Sequence, residues 1–405
     1  MPLKSVQKFS YKHSRGKCSV VVGEKILQDL PEFLEELRGS SAKVQNGETP
    51  QPAHKGKVIL FSDSRLKKAS QRVRGLLRKS GWQTHGVECE VSEQFKNFRK
   101  IYSLYGKLLA LGADRNTILL AMGGGVIGDS VGFLAGTYMR GIPWVGIPTT
   151  LVAQVDSAVG GKTGVNHSEG KNLMGVFHQP LGVLCDLEFG HSLSFNDRAS
   201  GLGEIIKYGL TFDPKFYTWL KENGCQITDG NCESLSEVIA RCLRLKAQVV
   251  EKDEFDERGE REILNFGHTF GHAIEAETGY SVFRHGEAVI LGMRLAVRLS
   301  VLRKSLDPDL GREIDVFLRN IPIPTLPTEV STEALVARLK RDKKATNGQV
   351  RFILLKDIGQ PYIDHSVPRP LVVRVLEEFR KDEEDPECSY SKLLPGGQIP
   401  QECTE

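Results

Sequence analysis

The sequence predicts an α/β amino-terminal domain with a Rossmann-like parallel sheet, followed by a mainly α-helical carboxy-terminal domain. Strand and helix signals alternate through the first half, and the apolar strand NTILLAMGGG runs straight into a glycine turn. From about Phe195 helical periodicity takes over. A chain of 405 residues is also long for a single hydrophobic core. The expected division is residues 1–190, residues 191–380 and a disordered tail over 381–405, where the acidic run after Arg380 has the composition of a tail.

Taken in order, CSVVVG (Cys18 to Gly23) reads as a strand, and Glu24 to Leu37 carries apolar residues at helical spacing. Ser40 to Gly56 is polar, aperiodic and Gly- and Pro-bearing, the composition of a surface excursion. KVILFSDS reads as a buried strand, Leu66 to Leu77 as a helix, HGVECEV as a strand and Phe95 to Leu111 as a helix. This alternation places ligands at the carboxyl ends of parallel strands. In the second half, helices are expected over Ala199 to Tyr208, Cys232 to Lys252, Leu264 to Glu277, Glu287 to Lys304 and Thr332 to Arg341.

Composition narrows the function classes. A formal charge of +3 gives no general affinity for nucleic acid or acidic membrane, so any anion site must be local. Lys4, Lys8, Lys12, Arg15 and Lys17 interrupt the first residues, and no apolar run approaches bilayer-spanning length. The reading is a cytoplasmic protein. Its eight cysteines are scattered without a CxxC pair, which fits reduced thiols better than a zinc ribbon or a disulfide scaffold.

Three groups of residues carry chemistry. GGGVIGD (Gly123 to Asp129) follows a strand and precedes a helical segment, so its N–H groups can approach a pyrophosphate, although a tight structural turn would use the same glycines. Asp63 after the preceding strand suits a ribose hydroxyl pair or a plain helix cap. Lys162, Lys171 and Asn172 sit beside glycines among apolar residues, where cations and an amide can close round a phosphate. His268 and His272 share one helix face, His285 begins a further helix with Glu287 in its first turn, and Glu204 and Lys207 share another face. One carboxylate with neutral imidazoles is a catalytic metal set, and helix geometry offers both His268 and His272 as ligands.

The chain resembles the 3-dehydroquinate synthases of the sugar-phosphate cyclase group. The resemblance is carried by GGGVIGD, YMRGIPWVGIPTTL, QVDSAVGGKTGVNHSEGKNLMGVFHQP, GEIIKYG, KAQVV, REILNFGHTFGHAIEAE, HGEAV and RDKK, and runs from about Val58 to about Gly359. It implies a dehydroquinate synthase-like fold with an NAD-binding α/β domain over 1–190 and a helical metal- and substrate-binding domain over 191–380. By resemblance Glu204, His268 and His285 hold a divalent metal, Zn2+ or Co2+, and His272 faces the substrate. Asp156, Lys162, Asn172, Lys207, Lys246, Arg261, Asn265 and Lys343 line the substrate pocket. Arg140 resembles an arginine that family dimers contribute across the subunit interface, which implies a homodimer. Asp63, Glu93, Lys96, Gly124, Gly125, Val126, Asp129, Thr149, Thr150, Lys162 and Lys171 match NAD-contacting positions.

The implied partner is a small phosphorylated sugar acid, 3-deoxy-D-arabino-heptulosonate 7-phosphate. Oxidation by NAD, β-elimination of phosphate, reduction and an intramolecular aldol closure would give 3-dehydroquinate, as in aromatic amino acid biosynthesis. Another cyclase, such as an aminodehydroquinate or valiolone synthase, is the alternative; a valiolone synthase substrate lacks the carboxylate that Lys246, Arg261, Asn265 and His272 suit. Three departures from the family pattern stand out: Arg65 for Asn, SLSFND for a T-L-P-x-R-E-like stretch, and one extra residue between Lys246 and Arg261.

Overall fold

A computed structural model describes residues 6–42, 55–342 and 350–384. The chain forms two compact units that are not consecutive in sequence: residues 1–194 with 230–257, and residues 195–229 with 258–405. The segment around Cys232 to Lys252, expected with the helical domain, therefore belongs to the first unit. Most of the expected excursion over Ser40 to Gly56 lies outside the described residues.

The first unit is built on seven strands: β1 (Gln7–His13), β2 (Gly16–Gly23), β3 (Lys57–Asp63), β4 (Gln83–Cys89), β5 (Ile118–Gly123), β6 (Trp144–Pro148) and, after a separate hairpin of β7 (Lys162–His167) and β8 (Gly170–Phe177), β9 (Gly182–Asp186). Their order is β1-β2-β9-β6-β5-β3-β4. The ladders from β2 to β4 are parallel, and only β1 pairs antiparallel, with β2. Helices α1 (Leu30–Ala42), α2 (Lys67–Lys79), α3 (Phe98–Ala110) and α4 (Gly125–Thr137) complete the βα alternation.

Strand periodicity builds the core directly. On β3, Ile59 and Phe61 join one buried cluster with Ile101, Leu104, Val131 and Leu134 of α3 and α4. Val58 and Leu60 join a second with Leu30, Leu34, Val73 and Leu77 of α1 and α2. Successive side chains point to opposite faces, so a sheet covered on both sides reads as a continuous apolar run. After β4 the chain passes to the far side of β3 to form β5, so the order reverses at these two strands. Ligands favour such a crevice, and Asp63 and the glycine turn end the two strands that flank it.

The second unit holds α5 (Phe195–Phe212) and α6 (Pro214–Asp229), and then, beyond α7 (Leu235–Lys252) of the first unit, α8 (His268–Glu277), α9 (His285–Leu302), α10 (Pro308–Arg319), α11 (Thr332–Asp342), a hairpin of β10 (Phe352–Asp357) and β11 (Gln360–Asp364), and α12 (Arg369–Glu384). α9 is its axis, buried nearly all round and packed by α5, α8, α10 and α12. Two arginines lie in this packing. Arg294 and Arg298 bond Asp315 of α10 at 3.1 and 2.8 Å, stack over Phe379, and reach Glu383 at 2.6 Å and Asp382 at the end of α12. Burial raises the Asp382 carboxyl, and Arg298 opposes that rise. Residues 381–384, expected in the disordered tail, thus continue α12, and Asp382 and Glu383 are the counter-charges of buried guanidinium groups. The remainder of the tail lies outside the described residues, and no helix among those described is long and apolar enough to cross a membrane. The six described cysteines are free thiols, four of them buried.

Candidate active site

In the second unit everything turns on Glu204, which α5 carries at 1% exposure. Its Oε2 stands 2.6 Å from Lys207 Nζ, one helical turn on. Its Oε1 is 3.5 Å from His268 Nε2 and 3.2 Å from His285 Nε2. Both oxygens are shut off from solvent, and neither is satisfied by a well-directed hydrogen bond.

The imidazoles are oriented from behind. His268 Nδ1 lies 3.2 Å from the Phe266 carbonyl, and His285 Nδ1 lies 3.4 Å from Glu275 Oε2. Both partners only accept, so Nδ1 is the donor in each ring, and in the neutral form, the one that can ligate a cation, Nε2 turns a lone pair toward Glu204. His272, exposed and one turn along α8, completes a group whose three imidazole ligand atoms lie within 4.8 Å of one another. Two lone pairs and a carboxylate oxygen aimed at one point repel unless positive charge stands among them. Burial alone would lower the His285 pKa, but Glu204 and Glu275 outweigh it and hold the ring up at about 10. Burial likewise opposes ionisation of Glu204, yet Lys207 and His268 keep its carboxyl well below the usual range. This donor set fits a divalent cation.

Close backbone approach assembles the group. A Cβ on Gly286 would lie 1.7 Å from the Ser200 carbonyl oxygen, and Gly286 N donates to Ser200 Oγ at 3.0 Å. The first turn of α9 is therefore pressed onto α5, which brings His285 to Glu204. A Cβ on Gly292 would lie 2.0 Å from the Gly267 carbonyl, so α8 is seated equally closely and carries His268 in. Glu287 does not join the group; it accepts from Arg284 N at 2.8 Å and caps α9. Arg261 is 2% exposed, and Asn265 is exposed at the end of the 3-10 turn Glu260–Asn265.

In the first unit, β5 passes through Gly123 and Gly124 into α4. A Cβ on Gly124 or Gly125 would press on Thr150 or Ser157 at 3.1 and 3.2 Å. The turn borders a concavity that Asp129, Ser157 and Lys162 also line. An open helix N-terminus with room for an approaching anion fits a nucleotide pyrophosphate. Thr149 N donates to the Gly123 carbonyl at 3.0 Å, and Val126 lies in the first turn of α4.

Other site residues pair with one another. Lys96 stands 2.5 Å from Asp129 and also bonds Asn172. Burial raises the Asp129 carboxyl, and Lys96 opposes it. Lys246 Nζ reaches the Asp156 carboxylate at 3.1 Å and its carbonyl at 2.8 Å. Lys171 lies 3.8 Å from Glu93. Of the two uses open to Asp63, the structure shows the cap: its carboxylate accepts from Arg65 N at 2.9 Å and is gripped by the Arg65 side chain. Arg140 is exposed, and it and Met139 both take left-handed backbone at φ 67° and 49°. Lys343 lies outside the described residues.

Sequence reasoning missed three partners. Glu275 was legible, since 268, 272 and 275 fall on one helix face. Asn166, which bonds Glu93 at 2.7 Å and accepts from Asn172 N at 2.9 Å, lies in a run that reads as loop. Asp256, the partner of Lys162 at 2.6 Å, had no signal, being 94 residues distant.

This arrangement is that of a cyclase-type enzyme. A 2-epi-5-epi-valiolone synthase from Streptomyces hygroscopicus, solved with NAD+ and Zn2+ bound, has the same fold with a TM-score of 0.79 at 24% identity, over 93% of this chain and 98% of that one. Models of the 3-dehydroquinate synthase N-terminal and C-terminal domains match residues 86–199 and 201–345. A 3-dehydroquinate synthase from Syntrophotalea carbinolica is 38% identical over 88% of this chain and 95% of its own length, and one from Haemophilus ducreyi is 41% identical over 76% and 85%. The chain belongs to the 3-dehydroquinate synthase family.

Proposed function

We propose that this chain converts 3-deoxy-D-arabino-heptulosonate 7-phosphate to 3-dehydroquinate and inorganic phosphate, as an NAD- and metal-dependent lyase. The observation that carries the reading is the solvent-shielded Glu204 carboxylate faced by the Nε2 atoms of His268 and His285. Family membership supports the particular reaction.

Glu204, His268 and His285 would hold the ion, with Glu275 and the Phe266 carbonyl fixing the two rings. Bound there, Zn2+ or Co2+ supplies Lewis acidity toward substrate hydroxyls. NAD at the glycine turn, with Gly124, Gly125, Val126, Asp129, Thr149 and Thr150 around it, supplies a hydride acceptor that is regenerated. Lys162, half exposed at the edge of that concavity, meets the substrate phosphate as a point charge. Lys246, Arg261, Asn265 and His272 are the groups for the carboxylate end of the substrate, and Lys207 keeps Glu204 ionised. The curated relatives at 37–42% identity are named for this reaction, whereas the valiolone synthase shares the fold at 24%.

The test is an assay of phosphate release coupled to dehydroquinate formation. Turnover should stop on exhaustive chelation and return with Zn2+ or Co2+. Full activity in chelated protein, or no phosphate release from this substrate, defeats the reading.

A further inference from the structure

We propose that Asp256 is a positioning residue that holds the Lys162 ammonium in place on the β7–β8 hairpin and yields it only to an arriving anion. This rests on the reading of Lys162 as the phosphate contact. The Lys162 Nζ to Asp256 Oδ2 distance is 2.6 Å, with side-chain exposures of 48% and 27%. The other carboxylate oxygen of Asp256 is shut off from solvent without a hydrogen-bond partner. Asp256 also takes left-handed backbone, at φ 59°.

The segment carrying Asp256 is fixed at several points. Asp253 Oδ1 accepts from Glu257 N at 2.9 Å, closing the turn beyond α7. Glu254 accepts from Ser14 N at 2.6 Å and Ser14 Oγ at 3.2 Å, which ties the turn to the β1–β2 hairpin. Phe255 sets its ring edge-on to Phe177 at 5.7 Å. Phe177 is the cross-strand partner of Lys162. Two adjacent residues of the segment thus grip the two members of one ladder pair, Phe255 the aromatic and Asp256 the cation.

A half-exposed lysine on a flexible stem would otherwise sample many rotamers. The pair removes that freedom at a cost in affinity, because a phosphate taking the ammonium must approach a carboxylate of its own sign. Asp256 therefore trades ground-state phosphate binding for geometry. Removing its charge should tighten the binding of phosphate and slow turnover together.

Asp256→Asn is the informative variant, since Asn keeps the volume and tolerates left-handed backbone. With NAD- and metal-loaded protein and inorganic phosphate as the calorimetric probe, Asp256→Asn should lower the phosphate Kd about 3- to 10-fold, a shift of the size expected for one partly exposed charge. In the substrate assay it should lower KM and kcat together. Asp256→Glu should restore wild-type phosphate affinity. In a Lys162→Ala background, Asp256→Asn should tighten phosphate much less than in the native background, because without the ammonium the phosphate is no longer drawn up to the carboxylate. Phe255→Ala, which keeps both charges and loosens the segment, should lower kcat without tightening phosphate; it decides the matter should Asp256→Asn fail to fold, and an unchanged kcat there overturns the proposal.

The outcomes separate the two readings. If Lys162→Ala alone leaves phosphate affinity as it was, Lys162 is no phosphate contact and the positioning role falls with it. If Lys162→Ala weakens phosphate but Asp256→Asn has no effect, or has the same effect with and without Lys162, the positioning role is overturned and the phosphate contact stands.

Discussion

At the scale of single residues, each chemically important group has a partner that decides what it can do. Glu204 stays ionised at 1% exposure because Lys207 lies 2.6 Å away, and His285 presents Nε2 because Glu275 takes Nδ1. Outer carboxylates of this kind set ring orientation and basicity, so Glu275→Gln should weaken Zn2+ affinity by about 10-fold or more, read by competition with a chromophoric chelator. An unchanged affinity would mean that something else orients His285. His268 and His272 were legible as neighbours because helical spacing sets them on one face, whereas the meeting of His268 and His285 with Glu204, from three different helices, was implied only by the family resemblance. Their partners were legible only when local, as for Glu275. No spacing rule finds Asp256, whose counterpart arrives from another element, or distinguishes an Asp63 that meets a ligand from one gripped by Arg65.

At the scale of elements, the close seating of α5 on α9 is the most sensitive feature. Gly286→Ala would drive a methyl group into the Ser200 carbonyl, 1.7 Å away, and neither backbone can yield without carrying His285 off Glu204. The expected loss is about 3 kcal/mol or more of stability by overpacking, together with bound metal. Thermal melting and metal content of the purified variant measure both. Full metal content at an unchanged melting temperature would show that α9 can shift freely. Parallel strands β3 and β5 were legible because burial on both faces leaves continuous apolar runs, Val58 to Phe61 in β3 and Ile118 to Met122 in β5. The β7–β8 hairpin was not: glycines at 164, 170 and 175 erase the strand signal while leaving the ladder intact. Nor could periodicity assign α7 to the sheet. It shows that a helix has an apolar face, and says nothing of what covers that face.

For the whole molecule, the chain passes from the first unit to the second near residue 195, returns near 230 and leaves again near 258, so neither unit is a contiguous piece. Met139 and Arg140 are exposed and take left-handed backbone. If, as proposed from the family resemblance, Arg140 serves the pocket of a second copy, inactive Arg140→Ala and inactive His268→Ala proteins should complement on mixing. Random exchange makes half the dimers hybrid with one competent site each, so activity should return to about a quarter of wild type. Confirmed exchange with activity still at background would confine Arg140 to its own subunit. The buried arginines of α9 have a consequence in time. The helix that opens with His285 is also the one whose Arg294 and Arg298 need Asp382 and Glu383, which a ribosome adds more than eighty residues later. Until α12 has been made, only Asp315 among these acids can answer the two guanidinium charges, so full burial of Arg294 and Arg298 on the helix that opens with His285 is expected to wait for that last helix.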